Sequence, residues 1–339
     1  MNWKSFFARQ EVILAIAIIV LSLLIGLSNP AFFSLPNVFR ILRSTIVIGI
    51  FSMGVLMVLV SGGIDVSFPA IAAFSMYATI LIISDTGIDS IPFAFAVSAA
   101  VGLGLGLINS VLIAVFRLPT LIVTLGTLSL VRGVLLFYVG SRRIRISEVA
   151  PNLSEMTRAN LLSVQAPGGG VANLHITFAI LVVIVIVVWF ILRYTMFGRA
   201  LYAMGGDREA AKRVGFRVVR TQFVLYALVG LIAGIAGMVH CILSREADPF
   251  SIVGIELDVI AAVVLGGASI MGGRGTVIGT LLGVLLITII SSSLLLVGIS
   301  SEWQRFVIGA LIIIGTAIPV LQAKWNQRRL QVVMQEQST

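Results

Sequence analysis

Long apolar runs, separated by short polar or glycine-rich segments, dominate the chain. An α-helix needs about 20 apolar residues to cross a bilayer, so each of these runs is a candidate membrane span. We predict ten spans, with approximate limits 11–29, 44–63, 67–84, 91–116, 119–140, 174–192, 221–243, 256–270, 276–298 and 304–322. The eighth is the shortest, and we expect it to be tilted, broken or only partly spanning.

Composition strengthens the membrane interpretation. Hydrophobic residues make up 59% of the chain, charged residues 11%, and the mean hydropathy is +1.12. Soluble domains carry about 25% charged residues. No polar linker divides the chain, so we predict an all-α integral membrane protein in which residues 1–339 form a single transmembrane domain. No A-x-A cleavage site follows the first apolar run, which favours a retained helix over a signal peptide.

The basic residues predict an orientation. If the N-terminus is inside, fourteen Lys and Arg residues fall on the inner side and eight outside, with Arg132 inside a predicted span. Cytoplasmic loops are enriched in Lys and Arg, so we predict that both termini of this multi-pass membrane protein are cytoplasmic. The net charge of +9 is spread between apolar runs. This distribution favours lipid headgroups over nucleic acid as its counter-charge.

The longest predicted outer segment covers about residues 141–174. Pro151, Pro167 and three consecutive glycines at 168–170 disfavour a regular helix there. We predict a surface loop, and its role as a functional element or as a passive connector stays open.

Known catalytic motifs are missing from the sequence. None of its three lysines follows a glycine, so it has no P-loop, and it contains neither H-E-x-x-H nor G-x-S-x-G. One cysteine and two histidines do not make a metal-ligand cluster. We therefore expect no catalytic residue, cofactor or metal in this chain, and transport is the leading functional class.

The first interruption of the apolar pattern is Ser61–Ser67, between two predicted spans. Gly62 and Gly63 permit backbone geometry that other residues avoid, and Asp65 is costly at membrane depth without a partner or water. Ser67 and a proline two residues on suit a helix start, with Asp65 as a candidate N-cap. Turn formation and a direct role in solute passage both stay open.

The second interruption has five glycines in eleven positions, namely Gly266, Gly267, Gly272, Gly273 and Gly275. A lipid-facing helix would not carry them, so the segment is expected to be buried or to line water. Glycines also continue at four-residue spacing to residue 283, a pattern that lets helices approach closely. Helix packing and a place on the transport path are the two alternatives.

The third interruption is the hydrophilic stretch of about residues 193–220. We predict a short helix in which Asp207 is the N-cap, Glu209 lies in the first turn, Lys212 and Arg213 lie in the last turn, and Gly215 ends it. Such a capped cytoplasmic helix is suited to an external partner. The alternative is a basic anchor loop without one.

These three segments resemble, in order, motifs of the permease subunits of bacterial ABC importers for ribose and related sugars. The resemblance runs nearly end to end. The matching stretches are Ser61–Ser67, Gly205–Ala211 with Gly215, and Glu256–Asp258 followed by residues 263–267 and 272–275. One departure is that Val66–Pro69 replaces the usual Leu, Ser, Val and Gly, so the solute stays open among sugars and sugar-like compounds.

The resemblance implies a type II-like permease fold of about ten helices, a place in the bacterial inner membrane and a set of partners. Two permease chains, identical or related, would pair around the path. ATPase subunits would bind ATP and Mg²⁺, and a periplasmic binding protein would deliver the solute. The residues that would contact the ATPase through a coupling helix are Gly206, Asp207, Glu209, Ala210, Ala211 and Gly215. Path or packing roles would fall on Ser61, Gly62, Gly63, Asp65, Ser67, Gly266, Gly267, Gly272 and Gly273.

Two alternatives remain at the level of sequence. The first is an ABC permease for branched-chain amino acids, which shares the glycine-rich and basic-loop plan. The second is an ion-coupled secondary transporter, for which Asp65 is the only fair acidic candidate.

Overall fold

The computed structural model describes residues 10–140, 142–165 and 170–293, with single positions at 298, 303, 306, 309, 310 and 313. The helices in chain order are α1 (Gln10–Ser28), α2 (Leu35–Val60), α3 (Phe68–Thr86), α4 (Ile91–Ser110), α5 (Thr120–Val134), α6 (Ile146–Val149), α7 (Pro151–Met156), α8 (Thr177–Tyr194), α9 (Met196–Gly206), α10 (Arg208–Arg213), α11 (Val218–Ser244), α12 (Glu256–Leu265) and α13 (Val277–Ser293). Short π-helical turns, Val111–Val115 and Leu135–Val139, extend α4 and α5. Within these residues, α1 to α5, α8 and α11 are long and apolar enough to cross a membrane.

Three of these spans form the centre of the molecule. In α2, α3 and α11, 72%, 67% and 67% of the residues in the most apolar window are buried, against 17%, 22%, 28% and 28% in α1, α4, α5 and α8. The central spans pack around Phe51, Phe68 and Tyr226. The outer spans instead expose large apolar side chains, as Leu27 and Phe137 do. Apolar exposure on this scale is suited to lipid and not to water.

Helix α4 packs closely on α11 through small residues. A Cβ built on Gly102 would lie 2.4 Å from the Gly230 carbonyl oxygen, and one on Gly106 would lie 2.8 Å from the Gly230 Cα. One turn away, the Ser98 hydroxyl donates a 2.7 Å hydrogen bond to the Gly234 carbonyl. We call these five residues the α4–α11 seam. Its spacing is the small-residue pattern that lets membrane helices approach backbone to backbone.

Helices α12 and α13 form a tight pair. A Cβ on Gly266 would lie 2.4 Å from the Gly279 carbonyl oxygen, and one on Gly283 would lie 1.9 Å from the Ala262 carbonyl oxygen. The ten residues of α12 extend only about 15 Å, half the apolar thickness of a bilayer. The eighth predicted span is therefore broken at Leu265. The tenth, 304–322, lies outside the described residues apart from positions 306, 309, 310 and 313.

The second span begins earlier than predicted, at Leu35 and not near residue 44. The polar residues that argued against helix there have partners. Asn37 donates from Nδ2 to the Phe32 carbonyl at 2.7 Å, and Arg43 donates from Nη2 to the Leu243 carbonyl at 3.1 Å. Hydrogen bonds of this kind let polar side chains lie at the N-terminal end of a buried span.

The segment 141–174, predicted as a surface loop without regular helix, contains regular structure, including two short helices. Strands β2 (Asn160–Gln165) and β3 (Val171–His175) form an antiparallel hairpin after α6 and α7. A second ladder pairs β1 (Ile144–Arg145) with β4 (Glu246–Ala247), which follows α11. Beside it, Arg143 Nε lies 2.9 Å from Asp248 Oδ2. The sequence signal failed because the second ladder joins residues about 100 positions apart, and turn residues show only where regular structure stops.

His175 fastens the hairpin to the start of α8. Its Nδ1 accepts a hydrogen bond from the Thr177 N–H at 3.2 Å, which leaves Nε2 to donate to the Thr157 carbonyl at 3.3 Å. The contact at Nδ1 requires the neutral ring, because a protonated Nδ1 cannot accept a hydrogen bond. Burial, the largest cause, lowers the pKa of His175. The hairpin is thus held by a buried neutral imidazole.

Candidate functional site

The three interruptions found in the sequence meet in the fold. Ser61 ends α2, and its hydroxyl donates to the Val58 carbonyl at 2.7 Å. Gly62 follows with φ +82°, in the left-handed region that favours glycine. The N–H of Gly273 then donates to the Val60 carbonyl at 2.9 Å. The end of α2 is therefore bonded directly to the segment that joins α12 to α13.

The last turn of α9 completes this contact. A Cβ on Gly205 would lie 1.9 Å from the Val60 carbonyl oxygen and 2.5 Å from the Gly273 nitrogen. A Cβ on Gly272 would lie 2.8 Å from the Cα atoms of both Gly205 and Gly62. We call Gly62, Gly205, Gly272 and Gly273, with the Val60 carbonyl, the glycine junction. Backbones touch here because no side chain stands between them.

The other glycines singled out from the sequence are placed differently. Gly206 borders Gly273, but a Cβ on Gly206 itself would meet nothing within 4 Å. Gly266 and Gly267 lie away from the junction, the first against α13 and the second, with φ +98°, beside Gln10. For Gly266 the structure favours the packing interpretation.

Asp65 and Ser67 begin a buried polar network. Asp65 Oδ1 accepts hydrogen bonds from the N–H and the hydroxyl of Ser67, both at 2.7 Å. Asn109 of α4 donates from Nδ2 to Ser67 Oγ at 2.9 Å, and Thr127 of α5 donates its hydroxyl to Asn109 Oδ1 at 2.6 Å. All four residues are buried. The network ties the start of α3 to two neighbouring spans.

The prediction that Asp65 is the N-cap of α3 was wrong. Ser67 occupies that position. The carboxylate of Asp65, two residues earlier, accepts from the Ser67 N–H and closes a turn before the helix. Next to this turn, a Cβ on Gly63 would lie 2.6 Å from the Tyr226 hydroxyl oxygen, so the glycine makes room for that side chain. Asx turns of this kind compete with capping whenever Asp lies two residues before a helix.

Sequence reasoning missed Asn109, Thr127 and Tyr226. A signal existed for Asn109, because it interrupts the apolar run 91–116 and an unpartnered amide is costly at membrane depth. Thr127 and Tyr226 gave none, because their residue types are common in membrane helices. The partner of Thr127 lies on α4, and Tyr226 lies beside Gly63, so both contacts become visible only after packing.

Helix α10 has the predicted cap. Asp207 Oδ1 accepts from the N–H groups of Glu209 at 2.9 Å and Ala210 at 3.0 Å. These bonds, led by that of Ala210, lower the pKa of Asp207. At the other end, Gly215 has φ +95° and donates to the Lys212 carbonyl. The predicted stretch of about residues 193–220 holds a second helix, α9, before α10. Thr195 caps the start of α9 by accepting a hydrogen bond from the Gly198 N–H.

The two faces of α10 have different surroundings. Ala211 is buried and packs with Met204 and Val218, whereas Asp207 and Glu209 are exposed. The inner face therefore fixes the helix to α9 and α11. The outer face is free to meet a partner.

A groove of about 710 Å³ lies beside α10. Its charged lining residues are Arg117, Arg208, Glu209, Lys212, Arg217 and Arg220. Arg208 donates from Nη2 to Gln222 Oε1 at 2.7 Å, which orients its guanidinium along α11. With five basic groups and one acidic group, the groove attracts anions.

Comparison with known protein families gives a match over most of the chain. A family model described as branched-chain amino acid transport system / permease component matches residues 37–316.

Individual relatives cover most of the chain. The ribose import permease protein of Escherichia coli is 31% identical over 93% of this chain and 94% of its own length. That of Bacillus subtilis is 33% identical over 89% and 90%. The fructose import permease protein of Rhizobium meliloti is 32% identical over 91% and 83%. No solved structure gives a significant match.

Proposed function

The chain belongs to the family of branched-chain amino acid transport system / permease components, and on that premise we propose that it carries a sugar across the bacterial inner membrane as the permease subunit of an ABC importer. The seven long apolar helices found among the described residues make it a multi-pass protein of that membrane. It is a transporter subunit and not itself an enzyme.

A sugar is favoured over the alternatives because of the relatives. Two of them are ribose import permeases and one is a fructose import permease, each similar over most of this chain. The family description keeps branched-chain amino acids as the second candidate. An ion-coupled transporter is not supported, since Asp65 is engaged with Ser67 inside one subunit.

The observation that carries the coupling proposal is the convergence at the glycine junction. The exposed face of α10 would dock on a separate ATPase, which binds ATP and Mg²⁺. Helix α10 follows α9 directly, and the last turn of α9 touches the end of α2 and the α12–α13 segment without intervening side chains. Displacement of α10 would therefore reach two other segments through backbone contact.

The remaining partners follow from the same proposal. A periplasmic solute-binding protein would approach the outer segment that holds the β2–β3 hairpin. A second permease chain, identical or related, would complete the path. Solute affinity would reside in the binding protein, which agrees with the few charged residues inside the spans.

Reconstituted transport tests the substrate. The chain would be placed in vesicles with the ATPase and binding protein encoded beside it, and uptake of ribose, fructose and leucine would be compared with and without ATP. We expect ATP-dependent uptake of a sugar. Uptake of leucine but of neither sugar would identify a branched-chain amino acid as the substrate. Uptake driven by an ion gradient without ATP would refute the ABC importer.

Charge reversal tests the docking face. Glu209→Arg should lower both ATPase copurification and ATP-dependent uptake at least about tenfold, equivalent to ~1.4 kcal/mol of binding. Glu155→Arg makes the same charge change on the outer segment and should leave copurification unchanged. If Glu209→Arg retains the ATPase as well as Glu155→Arg does, α10 is not the docking helix.

A further inference from the structure

A second groove, of about 510 Å³, lies next to the basic one. The end of α8 contributes Ile191, the start of α9 contributes Met196, and the first turns of α11 contribute Val224 and Leu228. Its lining is apolar apart from two threonines and Arg220. The transport and docking proposals above make no use of this groove.

The two grooves adjoin, because Phe216 and Arg220 line both of them. The basic groove has five cationic groups against Glu209 alone, and one of the five, Arg220, also borders the apolar groove. Together they form one surface with a positive end and a hydrocarbon end.

The depth of each end follows from the helices that build it. Arg220 lies in the first turn of α11, whereas Val224 and Leu228 continue along the same helix for about 10 Å. Because α8 and α11 are spans that both end here, the arginine lies near the membrane boundary and the apolar residues lie at acyl-chain depth. Val224 and Met196 are exposed, so the groove opens outward.

We propose that this joined groove binds one anionic phospholipid, with its phosphate beside Arg217 and Arg220 and an acyl chain against Val224 and Leu228. A soluble anion has no use for the apolar half. An acidic protein segment would not extend into the hydrocarbon. Juxtamembrane basic groups attract anionic headgroups by about 1 kcal/mol each. The proposal does not depend on α10 docking on an ATPase.

Native mass spectrometry of the full chain in detergent tests this directly. Retention of dioleoyl-phosphatidylglycerol would be compared with that of dioleoyl-phosphatidylcholine, with sn-glycerol 3-phosphate as competitor. We expect one phosphatidylglycerol to be retained at least about tenfold more tightly than phosphatidylcholine, without competition by glycerol phosphate. Arg217→Gln with Arg220→Gln should lower that retention by about 10- to 30-fold, the equivalent of two lost contacts.

Matched variants separate the two halves of the groove. Arg193→Gln with Arg199→Gln removes the same charge from exposed positions that line neither groove, and it should retain the lipid. Val224→Trp fills the apolar half at an exposed position, keeps every charge, and should also reduce retention. It serves as the test if the arginine variant fails to fold.

Three results would overturn the proposal. Equal retention of both lipids would leave the basic groove to an acidic protein partner. Full competition by glycerol phosphate would make it a site for a soluble anion. Unchanged retention in Val224→Trp would show that no acyl chain occupies the apolar half.

Discussion

The α4–α11 seam and the glycine junction both rely on glycine, but they differ in backbone state. In the seam, Gly102, Gly106 and Gly230 lie inside continuous helices. In the junction, Gly62, Gly272 and Gly273 have φ of +82°, +91° and +72° and lie in turns. The seam joins two long helices along several turns. The junction joins the ends of segments, through a hydrogen bond from the Gly273 N–H to the Val60 carbonyl.

That difference indicates two kinds of work. A seam between helices moves as a unit, because every backbone group is already bonded within its own helix. A junction of turns can shift by small changes at a few residues, as hinges do. We infer that the seam holds the subunit together and that the junction passes movement between segments.

The largest expected effect comes from breaking the seam. Gly106→Leu would drive a side chain into the α11 backbone, where even a Cβ lies 2.6 Å from the Tyr226 carbonyl oxygen. We expect a loss of more than about 3 kcal/mol and failure to obtain monodisperse protein by gel filtration. Gly104→Leu on the same helix, where a Cβ meets nothing within 4 Å, is the control and should behave like the wild type.

Normal yield and thermal stability of Gly106→Leu would contradict the seam. Failure of both variants would show that α4 tolerates added bulk at neither position. That result would count against a specific contact between Gly106 and α11.

Breaking the junction should affect transport more than folding. Gly205→Ala places a methyl group 1.9 Å from the Val60 carbonyl oxygen, whereas Gly206→Ala, one residue on, places it in open space. We expect Gly205→Ala to cost about 1–3 kcal/mol of stability and to lower uptake more than tenfold. Gly206→Ala should retain both. Wild-type uptake by Gly205→Ala would show that the junction transmits nothing.

The buried polar network that begins at Asp65 and Ser67 adds a third kind of contact to the comparison of seam and junction. It joins helices through side chains and not through glycine backbones. Asn109→Leu removes the donor to Ser67 Oγ and the acceptor of the Thr127 hydroxyl, at a cost of about 1–3 kcal/mol. Combined with Thr127→Val, the losses should be non-additive by at least ~0.5 kcal/mol. Thermal unfolding of both single variants and the double variant measures this.

Thr79→Val supplies the reference for that cycle. Its hydroxyl is buried, and among the residues that the structure describes it bonds only to the Ser75 carbonyl within its own helix. Combined with Asn109→Leu, it should be additive. If the losses are additive in both pairs, the polar network does not act as a cooperative unit.

The smallest expected effect concerns the β2–β3 hairpin. The side chain of His175 holds it in place, and glycine contacts do not. The pKa of folded His175 is lowered, so the unfolded segment takes up a proton more readily. Stability is complete above the ordinary pKa of about 6.5 and falls below it, by at most about 1.4 kcal/mol per pH unit. Amide exchange of β2 and β3 at pH 5 and 7.5, corrected for intrinsic rates, should show weaker protection at pH 5.

His175→Gln keeps a polar group at the position and should remove the difference between the two pH values. Equal protection of the wild type at both pH values, or stronger protection at pH 5, would contradict the assignment of a neutral buried ring.

The cap of α10 and the limits of most spans could be read from the sequence because their causes are local. Asp207 bonds N–H groups two and three residues ahead of it, and an apolar run of span length has few alternatives to a membrane helix. The β2–β3 hairpin escaped prediction because turn residues mark where regular structure stops and do not exclude strands beside them. Asn109 and Thr127 escaped because their partners lie on other spans.

By itself, the sequence determined the membrane environment, the apolar spans, the three interruptions and the capped basic helix, because hydropathy and short-range hydrogen bonding act within a few turns of chain. Only the tertiary structure decided that Gly62, Gly205 and Gly272 meet. A glycine has no side chain to favour a partner, so its contacts follow from how the helices pack around it. Its role as a turn, a seam or a junction is therefore visible only in the folded molecule.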